Sequence, residues 1–218
     1  MNDALGLRIT AASGAALPPV HAWLAGPLPN GVPELLARLR RTAGVTHIAV
    51  MPDVHLAAEF CVGTVIGSPT LLFPNAVGGD IGCGMLALAF DGAADLLRDP
   101  ERAARVLGAL QVLCPARRHH RRTAPALPDN LHESALSHPQ LTATLRGAET
   151  QLQLGTLGAG NHFLELQADD ADRLWLMLHT GSRHLGQVVH HHHLAFGHKT
   201  DTGLLALHVD SPAGRAYL

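Results

Sequence analysis

The sequence predicts an α+β fold, a mixture of short strands and helices, and three observations lead there. Strand-like and helix-like stretches follow one another without a repeating order. The residues with chemistry in them sit on glycine-rich loops. The signatures of the doubly wound nucleotide folds are missing: there is no GxxxxGK[ST], and Gly155-Thr156-Leu157-Gly158-Ala159-Gly160 has the wrong spacing for the dinucleotide fingerprint.

Each element has a local reason. Residues 1–30 are rich in Ala, Gly and Pro and hold a short strand and loops. Val32 to Thr42 carries Val32, Leu35, Leu36 and Leu39 at helical spacing and ends on Arg38, Arg40 and Arg41, which suits a helix C-terminus. His47 to Met51 reads as a buried strand stopped by Pro52. Cys61 to Ile66 and Met85 to Phe90 read as further strands. Asp99-Pro100-Glu101 opens a helix to Leu113, with Asp99 as N-cap and Pro100 in the first turn. Residues 114–130 form a basic, proline-punctuated loop. Leu131 to Gln153 is helical in pieces, interrupted at Pro139. Phe163 to Leu166 and Leu174 to Leu178 are strands, Leu185 to His198 is a helix, and Leu204 to Val209 is a last strand.

Bulk properties narrow the function. A length of 218 residues buries a real core and fits a single domain over 1–218. Hydrophobic residues are 47% and aromatics 4% of the chain, so aliphatic side chains fill that core. A net charge of −2 argues against a generally basic nucleic-acid binder, yet leaves room for a local phosphate cleft. No apolar run is long enough for a membrane helix, and the N-terminus does not read as a signal peptide. Cys61, Cys83 and Cys114 are too widely spaced for a disulfide framework, which fits a reduced, cytoplasmic enzyme.

Three segments carry candidate chemistry. Val77-Gly78-Gly79-Asp80-Ile81-Gly82-Cys83-Gly84-Met85 brings a carboxylate and a thiol together across a turn. Gly155 to Glu165 holds Asn161, His162 and Glu165, and Leu178-His179-Thr180-Gly181-Ser182-Arg183 holds His179 and Arg183. Thiolate, carboxylate and neutral imidazole are all ligands of borderline divalent ions, and a thiolate can bridge two. Asn161 offers an amide for a phosphate, while the spacing leaves the role of Glu165 open. Asp53 and His55 follow a strand and serve either as groups orienting ligands or as a capped strand end. Arg117-Arg118-His119-His120-Arg121-Arg122 is the one dense basic patch, either a solvated loop or a contact to a nucleic-acid backbone.

Met51-Pro52-Asp53-Val54-His55, Val77 to Met85, Gly155 to Glu165 and His179 to Arg183 resemble, in order and form, the motifs of the RtcB family of RNA ligases. Ser211-Pro212-Ala213-Gly214-Arg215-Ala216-Tyr217 resembles a further family segment. The resemblance implies an RtcB-like core and a GTP- and Mn²⁺-dependent ligase that joins RNA 3′-phosphate or 2′,3′-cyclic phosphate ends to 5′-hydroxyl ends, in tRNA splicing and RNA repair. It implies Asp80, Cys83, His162 and His179 as metal ligands, with Cys83 bridging two ions. It implies Asn161 and Glu165 as nucleotide-site residues, Arg183 as a residue holding RNA or phosphate, and RNA as the partner. Two departures stand out. Ala57-Ala58-Glu59 replaces a glycine-lysine-glycine-like loop. The family's guanylylated histidine belongs to a C-terminal half beyond Leu218, so no catalytic nucleophile is assigned; the chain is expected to be an N-terminal portion of such a ligase, with a chain supplying the other half as a candidate partner. The alternatives are a metal-dependent phosphoesterase acting on cyclic phosphates and a non-catalytic RNA- or metal-binding remnant.

Overall fold

The computed structural model describes residues 17–218. In chain order its main elements are β1 (Val20–Ala22), α1 (Val32–Arg41), β2 (His47–Ala57), β3 (Phe60–Gly67), β4 (Leu71–Leu72), α2 (Pro74–Val77) and β5 (Gly84–Ala93). They continue as α3 (Pro100–Leu113), α4 (Asp129–Glu133), α5 (Pro139–Leu145), α6 (Ala148–Gln153), β6 (Phe163–Ala168), β7 (Arg173–Thr180), α7 (Arg183–Leu194), β8 (His198–Lys199), β9 (Leu205–His208) and α8 (Pro212–Tyr217). The architecture is the α+β one, with three open three-stranded sheets ordered β1-β2-β3, β4-β9-β8 and β5-β7-β6. The chain divides into two units, one running to Gly79 and resuming at His190, the other spanning Asp80–Val189.

The first unit holds the main apolar core. Gly31 starts α1 in the left-handed conformation, Pro33 lies in its first turn, and Arg38, Arg40 and Arg41 lie in its last. Val32, Leu35, Leu36 and Leu39 form the buried stripe of α1 and pack with Ile48 and Val50 of β2, Phe60 and Cys61 of β3, and Leu204. Burial pushes the Cys61 thiol pKa up, as it must for a group charged only in water. Arg38 ties the last turn of α1 to the β8–β9 connection by donating to the Thr202 carbonyl at 2.8 Å.

Three expectations needed correction here. β2 does not stop at Pro52: the strand continues to Ala57, and the register against β3 breaks between Val50 and His55. A proline is tolerated there because a bulge asks for no ladder hydrogen bond from that residue. α7 ends at Leu194 rather than at His198, since His198 and Lys199 pair in β8 with Ala206 and Leu205. The chain also forms α8 beyond the last expected strand, capped by Ser211, whose Oγ accepts from the Gly214 N–H at 2.9 Å. Of residues 1–30, positions 1–16 lie outside the described residues, and the short strand expected there is β1, parallel to β2.

The second unit contains a three-stranded antiparallel sheet and several helices, and its buried apolar side chains include Ala94, Leu141, Leu145 and Leu174. Asp99 caps α3 as expected, accepting from the Glu101 and Arg102 N–H groups. The stretch 131–153 breaks into α4, α5 and α6, and Pro139 opens α5 rather than ending a helix. β5, one of the two edge strands, is exposed along its whole length, with Met85, Leu86 and Leu88 each at least 50% exposed.

Asp169 closes the β6–β7 hairpin. Its carboxylate accepts from the Trp175 indole at 3.0 Å, from the Arg173 and Ala171 N–H groups at 2.9 Å, and from the Arg173 guanidinium at 2.9 Å. These donors, the Trp175 bond foremost, lower its pKa from the ordinary 3.8 to about 2. A carboxylate with a depressed folded-state pKa stabilises the fold above its unfolded value, and that contribution is lost as pH falls through the folded one. Wild type and Asp169→Asn are therefore expected to differ in unfolding midpoint above about pH 4 and to converge below about pH 2. A carboxyl-carbon titration of Asp169 by NMR with a midpoint near 3.8 would contradict the assignment.

Candidate metal and phosphate site

Three loops of the second unit meet at the carboxylate of Asp80. Its Oδ2 lies 2.7 Å from His162 Nε2, and its Oδ1 faces the Arg183 N–H at 3.3 Å and the Ser182 hydroxyl at 3.4 Å. Glycine makes the approach possible. A Cβ on Gly181 would overlap the Asp80 carboxylate, and a Cβ on Gly158, whose φ is +110°, would overlap the His162 ring. Only residues without side chains let the segments close this tightly.

His162 is 5% exposed at its side chain, and its Nδ1 is buried without a hydrogen-bond partner among the described residues. A carboxylate only accepts, so the proton between His162 and Asp80 is carried on Nε2 or shared with it. His179 stands beside His162 in an edge-to-face arrangement, with ring centroids 5.2 Å apart. Its Nδ1 lies 3.0 Å from the Asn161 carbonyl, which can only accept, so Nδ1 carries a proton. The other nitrogen, Nε2, faces Cys83 Sγ at 3.1 Å. That is the geometry of a ligand histidine whose second nitrogen is held by a backbone carbonyl.

The four expected metal ligands therefore fall into two touching pairs, Asp80 with His162 and Cys83 with His179. Among the described residues no group of three or more His, Cys, Asp or Glu stands ready to hold a metal ion. Each pair is in direct contact, at 2.7 Å and 3.1 Å. Ligands bound at about 2.1 Å in octahedral directions stand about 3 Å apart, close to the 2.7 and 3.1 Å measured here. Each pair thus places two donors within reach of one ion, and the donor set suits a borderline divalent cation.

The remaining candidates divide. Asn161 contributes its main-chain carbonyl to His179. Glu165 shares a face of the sheet with His179: Phe163 pairs with His179, and Glu165 pairs with Met177, two residues or about 7 Å along β7. Its Oε1 accepts from Gln167 at 2.5 Å. Arg183 opens α7 with φ +57°, a backbone region that non-glycine residues seldom occupy. Its guanidinium reaches Thr156 Oγ1 at 3.3 Å and the Ala116 carbonyl at 3.5 Å. Asp53 and His55 belong to the first unit, both exposed on β2, where His55 Nδ1 bonds the Asp53 carbonyl at 2.7 Å. In that unit Glu59, the acid of the unusual Ala57-Ala58-Glu59 turn, accepts from Asn75 at 2.7 Å, and Asn75 faces His190 Nε2 at 3.1 Å.

A family model described as tRNA-splicing ligase RtcB matches residues 36–218. Two Escherichia coli proteins named RNA-splicing ligase RtcB1 and RNA-splicing ligase RtcB are 35% and 34% identical, each over 78% of this chain and 45% of its own length. A Mycobacterium tuberculosis RNA-splicing ligase RtcB is 29% identical over 77% of this chain and 52% of its own. The chain spans about half the length of the curated relatives it matches.

The close contacts at Asp80 have a direct test. Gly181→Ala is expected to cost about 1–3 kcal/mol by overpacking and to remove hydrogen-exchange protection from the Arg183 amide. Gly92→Ala, where a Cβ meets nothing within 4 Å, is expected to stay within about 0.5 kcal/mol. Equal costs, with the Arg183 amide still protected, would contradict the packing described.

Proposed function

The chain belongs to the RtcB family of tRNA-splicing ligases, and from that premise we propose that it supplies the metal- and RNA-contacting portion of an RNA ligase. The reaction joins a 3′-phosphate or 2′,3′-cyclic phosphate end to a 5′-hydroxyl end, as in tRNA splicing and RNA repair, with GTP and Mn²⁺ as cofactors, in the cytoplasm. The observation that carries this reading is the juxtaposition of the Asp80–His162 and Cys83–His179 pairs on adjoining loops, their imidazoles 5.2 Å apart.

In this reading Asp80, Cys83, His162 and His179 would hold the divalent ions. Divalent ions bound there supply charge neutralisation to the phosphoryl oxygens. The chain's own residues do the positioning. The Asn161 carbonyl keeps His179 turned toward Cys83, and the Arg183 N–H keeps Asp80 turned toward His162. Asn161 and Glu165 border the nucleotide, and Arg183 directs its cation toward a phosphate. A further chain segment supplies the nucleophile that receives the guanylate.

Protein purified from its own cells is expected to join such RNA ends only with GTP and Mn²⁺. Cys83→Ala is expected to cut the rate by more than about 100-fold, since even the outer partners of metal ligands cost 10–100-fold. Hydrolysis of a cyclic phosphate without GTP, lost on Cys83→Ala, would replace the ligase reading with the phosphoesterase one. RNA binding with no turnover under any divalent ion would leave only a binding remnant.

A further inference from the structure

The basic loop after α3 is not used by the metal site, yet the structure fastens it beside that site. Residues 102–128 contain six arginines and no Asp or Glu. The Leu157 N–H donates to the Pro115 carbonyl at 3.0 Å and the Gly158 N–H to the Ala116 carbonyl at 2.9 Å, so the start of the loop pairs with the strand of chain leading to His162. The His119 N–H donates to the Leu152 carbonyl at 2.8 Å, fixing the loop's middle on α6. Arg183 reaches the Ala116 carbonyl from the other side, while its own N–H faces Asp80. A tight turn then closes on His120, whose carbonyl accepts from the Thr123 N–H at 2.9 Å, and presents Arg121 and Arg122 at its tip.

These cations are available. Arg117, Arg118, Arg121 and Arg122 are all exposed. Among the described residues Arg118 alone of the four meets a carboxylate, Glu149, at 3.8 Å, and an exposed pair at that distance holds little. Arg118, His119, His120 and Arg121 line a concavity against Ala148, Glu149 and Leu152 of α6. Four exposed guanidinium groups within six residues, held by one weak carboxylate contact, suit the repeated charge of a phosphodiester chain.

We propose that Arg117, Arg118, Arg121 and Arg122 form a track for the sugar–phosphate backbone of the RNA strand, leading it past Arg183 to the Asp80–His162 pair. The proposal rests on the RNA-ligase reading for its ligand, and its test is independent of turnover. Binding of a labelled 20-nucleotide single-stranded RNA to the full chain is measured against salt, without GTP or divalent ions. Replacing the four arginines by glutamine is expected to weaken binding at least about tenfold at 50 mM salt and to flatten the log–log salt slope by about 0.7 for each lost phosphate contact. Replacing them by lysine is expected to restore most of both, because the contact is one of charge. A DNA strand of the same sequence is expected to lose affinity in parallel. An unchanged salt slope in the glutamine variant, or a lysine variant no better than the glutamine one, overturns the track. Loss of binding in a protein that joins no RNA ends leaves the track standing and removes the ligase reading.

Discussion

The second unit is organised around the carboxylate of Asp80. It holds three separate loops at one point: its own glycine turn, the 158–163 loop through His162, and the 180–183 loop through Ser182 and Arg183. A partly exposed carboxylate that accepts from an imidazole, a hydroxyl and a backbone N–H keeps its oxygens satisfied while remaining open on one side. The left-handed start of α7 at Arg183 follows from the same contact, since that conformation turns the Arg183 N–H toward Asp80. Strain of this kind persists where surrounding contacts over-determine it.

Cys83 and His179 extend the arrangement along the sheet. Met85 pairs with His179 and Phe163 pairs with it from the other side, so β5, β7 and β6 deliver the thiol, the imidazole and the aromatic ring beside it to one end of the sheet. Glu165 and Met177 occupy the next row of the same face. A nucleotide lying across this face would meet His179 and Glu165 in turn, and a strand arriving along the arginine loop would reach Arg183 first. β5 is exposed along its whole length. Asp169 closes the β6–β7 hairpin, Arg98 contacts Asp172 at 2.6 Å, and the Leu157 and Gly158 N–H groups tie the basic loop to this unit.

Much of this was legible from local sequence. The apolar stripe of α1, the Asp99 cap of α3 and the strands on either side of the glycine loops follow from patterns a few residues long. The errors arose where a distant partner decides. Pro52 reads as a stop until β3 supplies a register with a bulge in it. His198 continues a helical pattern until β9 claims it as a strand. Ser211-Pro212 was a legible helix start, a capping hydroxyl before a proline, and was passed over. For the site, ligand types on glycine loops were visible, and the motifs that resemble the family marked which of them belong together. Their pairing was not visible, because Asp80 meets His162 and Cys83 meets His179 across long stretches of intervening chain. Nor could the face of Glu165 be read without the register of β6 on β7.

The central claim is that the Asp80–His162 and Cys83–His179 pairs are two halves of one metal site. Anomalous diffraction from crystals grown with Mn²⁺ tests it most directly. The account predicts a peak about 2–2.5 Å from both Cys83 Sγ and His179 Nε2, with Asp80 or His162 ligating the same or an adjacent ion. A peak bound elsewhere, with the Sγ–Nε2 contact still near 3.1 Å and nothing between, would contradict it.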